Sequence, residues 1–184
     1  MALRAPARVR FKARLLCPAK PADADWAFLV LPQAASNRLP ARSQVSVDGT
    51  FGTVPFQATL EPDGQGSHWL RVGKSLLDAA GVVAGDTVAL NVAHVAEEPE
   101  PDVPPDLREA LDANPAASAT WDDITPLARR DWIQWMTSGR KAETRVKRIA
   151  SGCDMLSSGK RRACCFDRSG MYSRGKLGPP EAAG

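Results

Sequence analysis

Ser67–Val95, SHWLRVGKSLLDAAGVVAGDTVALNVAHV, changes its hydrophobic period twice. His68, Leu70 and Val72 alternate with Trp69 and Arg71, the period of two that marks a strand. Lys74 to Ala80 reads as a short helix, with Leu76, Leu77, Ala79 and Ala80 on one face and Lys74, Ser75 and Asp78 on the other. Gly81 suits the left-handed residue that ends a helix. Gly85-Asp86 makes a turn, and Thr87 to Val95 resumes as a strand with Val88, Leu90, Val92 and His94 along one side. This strand–helix–strand unit decides the fold of the first half of the chain.

Working back from it, Val9, Phe11, Ala13 and Leu15 alternate with Arg10, Lys12 and Arg14. That is a strand with one buried face and one wet, basic face. Trp26 to Leu31 is apolar enough for a strand buried on both sides. Pro32 to Leu39 has room for one helical turn. Val45 to Phe51 and Val54 to Leu60 read as strands joined at Gly52-Thr53, in preference to the rival turn signal Asp48-Gly49. Five or six short strands with tight turns predict a small closed or nearly closed barrel, which removes exposed sheet edges. Leu76 and Leu77 are expected to plug one end of it.

These residues resemble a known pattern. Leu70 to Leu77, then Ala80-Gly81-Val82 and Gly85-Asp86-Thr87-Val88, are similar to the strand–helix–strand element of AbrB-like double-split barrels. With Trp26, Phe28, Leu31-Pro32, Val54-Pro55-Phe56 and Leu60 included, the run from about Val9 to Val95 resembles a bacterial domain of unknown function with that barrel.

Glu97 to Pro105, EEPEPDVPP, reads as a stiff, extended connector. Beyond it come helical patterns: Asp106 to Ala113, a turn around Trp121, a helix begun by Thr125-Pro126, and Ala142 to Ser157 with Ala142, Val146, Ile149, Ala150, Cys153 and Leu156 in one arc. The last two should pack as an αα-hairpin that closes on itself, on the shorter helix or on the barrel. Met136 to Arg140, with Gly139, predicts a loose joint between them. Asp106-Leu107, Trp121, Arg130, Trp132, Trp135, Lys141, Glu143-Thr144-Arg145, Arg148-Ile149 and Gly159-Lys160 resemble the bacteriocin-protection, OmpD-associated helical family. That resemblance brings no catalytic residues with it.

The expected fold is therefore α+β. A small β-barrel domain spans 1–96, a Pro/acidic linker 97–105, a helical hairpin segment 106–159, and a basic tail without order 160–184. Composition is that of a globular protein, with 43% hydrophobic and 24% charged residues. No apolar run approaches a membrane span and no secretory signal is visible, so the expected compartment is the cytoplasm. The four cysteines, Cys17, Cys153, Cys164 and Cys165, show no C-x-x-C spacing, and with only His68 and His94 no metal site or other cofactor is expected. His68 reads as a pairing residue rather than a general base, and Cys153 as a small core residue.

Charge is uneven: net +1 over 1–98, −5 over 99–138 and +7 over 139–184. Thr144, Arg145 and Arg148 are the candidate anion- or partner-binding group, since guanidinium forks suit carboxylates and phosphates. The structural alternative is a salt bridge from them to Asp122-Asp123 or to the linker. The expected function is that of a non-enzymatic binding or interaction protein, monomer or dimer, whose partner is an unknown protein or small anionic ligand. The alternative is a nucleic-acid-binding protein that uses Lys160, Arg161 and Arg162.

Overall fold

The computed structural model describes residues 6–163, 167–171 and 177–184. The chain forms two compact units, one ending at Glu97 and rejoined by Ser169–Gly184, the other Glu98–Arg168.

In the first unit the strands are β1 (Val9–Arg14), β2 (Ala27–Val30), β3 (Val45–Phe51), β4 (Val54–Pro62), β5 (His68–Val72) and β6 (Thr87–His94). Helix α1 (Gln33–Ser36) follows β2, and α2 (Lys74–Ala80) precedes β6. The sheet order is β1-β6-β3-β4-β5-β2, and every pairing is antiparallel. Leu16 and Phe28 then exchange hydrogen bonds of 2.7 and 2.9 Å, which brings the end of β1 back to β2. The result is a nearly closed six-stranded barrel. Its core holds Val9, Leu15, Leu29, Val47, Phe51, Leu70, Val72 and Val92 among others, with Leu77 and the half-buried Leu76 packed against them.

Gly52 has φ +60 and makes the β3–β4 turn. The rival signal at Gly49 serves a different purpose. Gly49 lies opposite Phe56 and Val92 in the middle of the sheet, where a Cβ would overlap the Asn91 carbonyl oxygen. Three strands can come this close only without a side chain there.

Two expected core residues are exposed. The register runs unbroken through Val92, Ala93 and His94, and His94, opposite Val47 at the last position of β6, is exposed where the strand ends. Ala79 is exposed because the short α2 buries little beyond Leu77. The tail expected to lack order pairs near its end: Ala19 N–H donates to Glu181 O at 2.7 Å and Ala183 N–H to Cys17 O at 2.8 Å. Cys164, Cys165, Phe166 and Tyr172 lie outside the described residues.

The second unit contains α3 (Pro105–Asp112), α4 (Pro115–Asp123), α5 (Pro126–Thr137) and α6 (Ala142–Ser157). Proline opens α3, α4 and α5, where its missing N–H costs nothing. Asn114 Oδ1 caps α4 through Ala117 N–H, and Thr125 Oγ1 caps α5 through Ala128 N–H. Helix α6 packs on α3, α4 and α5. The hairpin thus closes on the shorter helices, around Leu107, Leu111, Trp121, Ile124, Trp132, Met136, Ile149, Cys153 and Leu156. Gly152 allows the close approach of α5, because a Cβ there would overlap Met136 Cε. Val146, expected in this core, is 68% exposed, and Ala142 is exposed as well. Val146 and Ala150, also exposed, line a hollow of about 360 Å³ with Ala110 of α3 and Ala113 at its C-terminal cap, whose small side chains leave it unfilled. Among the described residues no helix is long and apolar enough to cross a membrane.

Candidate functional site

The three residues expected to bind an anion on α6 are each engaged within the helical unit. Arg145 presents both arms of its fork to Asp106, Nε to Oδ2 at 2.6 Å and Nη2 to Oδ1 at 2.9 Å. The guanidinium holds the Asp106 carboxyl below the ordinary carboxylate range, and the carboxylate raises Arg145 in turn. The ion pair is real, but its partner lies at the start of α3 rather than at Asp122-Asp123 or in the linker. Arg148 Nη1 donates to Trp135 O at 3.0 Å and Ser138 Oγ at 2.5 Å, and its guanidinium lies 5.8 Å from the Trp135 ring centre. A Cβ at Gly139 would fall 2.8 Å from Thr144 Cγ2. The joint expected to be loose is thus tied by Arg148, with Thr144 packed close to Gly139.

Arg161, one of the expected nucleic-acid contacts, pairs with Asp123 and donates from Nη2 to its carbonyl at 3.0 Å. That pairing holds the Asp123 carboxyl below its usual range. Arg161 O also accepts from Trp132 Nε1. Lys160 and Arg162 are exposed. Two of the four linker acids are fixed as well: Glu98 pairs with Arg130, and Glu100 with Arg129. Arg168 pairs with the buried Asp131. Sequence reasoning missed this polar row on α5, Arg130, Asp131 and Gln134, all buried. Its signal was the i, i+1, i+4 spacing opposite the apolar arc.

In the barrel, His68 is fully buried. Its Nε2 lies 2.9 Å from Ser43 O, which only accepts, so Nε2 carries the proton. Nδ1 therefore accepts from Ser36 Oγ at 2.7 Å. Burial lowers the pKa of His68. A serine beside a histidine is the pairing a nucleophile needs. Here both are enclosed, and a backbone carbonyl stands where an orienting carboxylate would. Cys153 is buried in the helical core, and desolvation raises its thiol pKa. Lys74 pairs with Asp78 at 2.8 Å, and the two help line a hollow of about 240 Å³ with Trp26 and Cys17. Among the described residues no three His, Cys, Asp or Glu side chains cluster as metal ligands would.

The open site is on the outer face of β1. Arg10, Lys12 and Arg14 point out of the barrel and are exposed, and among the described residues none of the three forms an ion pair. Register explains the hollow beside them. Lys12 faces Ala89, and Arg10 faces Asn91, which faces Thr50. Ala89 and Gly52 carry too little side chain to fill the space. A groove of about 330 Å³ results, lined by Arg10, Lys12, Thr50, Ala89 and Asn91 with parts of Phe11, Gly52 and Leu90. No carboxylate lines it. Asp48 is on the same face, beyond Thr50 on β3.

Comparison with known proteins follows this division. Residues 11–92 match the model of a domain of unknown function, DUF1905. Residues 100–159 match the model described as Bacteriocin-protection, YdeI or OmpD-Associated. No curated protein matches the chain. The chain is thus similar to DUF1905 over its nearly closed barrel and to the bacteriocin-protection, YdeI or OmpD-associated family over its helical segment.

Proposed function

We propose that this chain is a non-catalytic cytoplasmic binding protein, and that the outer face of β1, β6 and β3 receives an anionic partner. One contrast carries this reading. Five arginines of the helical unit, 129, 130, 145, 161 and 168, each have a carboxylate partner. The three cations of β1 have none among the described residues, and two of them, Arg10 and Lys12, line a groove free of acid. An unpaired row of like charge repels itself in the free protein. A polyanion would relieve that repulsion.

The enclosed Ser36–His68 pair supports the non-catalytic part, since neither side chain is open to a substrate. Robust turnover of any hydrolase or transferase substrate, abolished by one point substitution, would overturn it. For the binding surface, retention on a heparin matrix is the direct test. R10Q/K12Q/R14Q should elute at markedly lower salt than the wild type, because charge contacts to a polyanion weaken steeply with salt. The second reading is nucleic-acid binding at 160–162, where Lys160 and Arg162 are exposed. It requires instead that K160A/R161A/R162A lose binding in a gel shift while the β1 variant keeps it.

A further inference from the structure

We infer, resting on the reading of that face as a binding surface, that the groove between β1, β6 and β3 holds the phosphoryl group of a small phosphorylated molecule. The donor set points to this chemistry. Arg10 and Lys12 bring two positive charges from one strand, two residues apart. Asn91 buries its Oδ1, which has no hydrogen-bond partner, so the amide NH₂ is the end that this half-exposed side chain turns outward. Thr50 adds a hydroxyl from a third strand. A carboxylate has two oxygens, and one guanidinium fork satisfies it, as Asp106 and Arg145 show in this chain. A phosphoryl group has three oxygens and close to two negative charges at neutral pH. It matches two cations and two neutral donors on three strands.

The shape agrees. The groove's volume of about 330 Å³ lies at the small end of ligand sites, which run from roughly 300 to 1,000 Å³. Ala89 gives a small apolar wall for the rest of the molecule. The space exists because residue 89 is an alanine. A longer side chain there would fill the groove and leave every charge in place.

Titration of the ¹⁵N-labelled full chain with inorganic pyrophosphate at low salt tests this. Saturable shifts are expected at the amides of Arg10, Lys12, Thr50 and Asn91. A89L should weaken pyrophosphate binding at least tenfold and leave heparin retention unchanged. T50V, nearly the same in shape, should weaken pyrophosphate several-fold. Absence of saturable shifts at these amides, or wild-type affinity in both variants, overturns the inference. If pyrophosphate fails while heparin retention still depends on Arg10, Lys12 and Arg14, the phosphoryl site is lost and the binding surface stands. If both fail, both are lost.

Discussion

The Nε2 proton of His68 goes to the Ser43 carbonyl, and Nδ1 accepts from Ser36. Protonating the ring would break the second bond and bury a charge, which is why burial lowers this pKa in the folded protein. In the unfolded chain a histidine titrates near its usual value of about 6.5. Above that pH both states are neutral and stability is complete. As pH falls below about 6.5, the unfolded state takes a proton that the folded state refuses. Stability is then lost, with a slope approaching about 1.4 kcal/mol per pH unit, until the folded pKa is reached. Urea denaturation at pH 7.5, 6.0 and 5.0 checks this. H94Q, at an exposed position, should show the same decline. The Asp106 and Asp123 carboxyls, lowered by their arginines, lose their contributions only at more acid pH, so the windows separate. A flat profile from 7.5 to 5.0 would contradict the buried neutral ring.

At the scale of elements, Arg148 and Arg145 sit one turn apart on α6 and do different things. Arg148 closes the α5–α6 joint by two hydrogen bonds to partly buried groups. Hydrogen bonds from charged groups contribute about 1.5–3 kcal/mol. Arg145 and Asp106 are a partly exposed pair, and such pairs contribute about 0.2–1 kcal/mol. R148A should therefore cost clearly more stability than R145A in chemical denaturation, and equal losses would contradict these roles. The bounds of α2 and α6 and the turn at Gly52 were legible in sequence, because period, capping and glycine chemistry act over a few residues. The partner of Arg145 was not, since Asp106 lies 39 positions away and only the packing of α3 on α6 brings it near. Val146 fitted the apolar arc of its own helix; its exposure depends on the small side chains that α3 sets across from it. The basic stripe of β1 was visible as alternation. That it borders a groove depends on Ala89, Asn91 and Thr50, which join it only through strand pairing at long range.

Across the whole molecule, net charge and open charge fall in different places. The segment from 139 to 184 carries most of the positive excess, yet Arg145, Arg161 and Arg168 are each paired with an acid. The barrel half is nearly neutral as a sum, and there three cations stand together without a partner among the described residues. What matters for an anion is the uncompensated local field, which a sum over sequence does not report. The most direct measurement is the affinity of the full chain for long-chain inorganic polyphosphate over a series of salt concentrations, for the wild type, R10Q/K12Q/R14Q and K160A/R161A/R162A. The β1 variant should bind at least about tenfold more weakly, in line with losing one or more charge-assisted contacts, and with a shallower salt dependence, while the 160–162 variant stays close to wild type. Wild-type affinity and salt slope in the β1 variant, with the loss confined to 160–162, would contradict this.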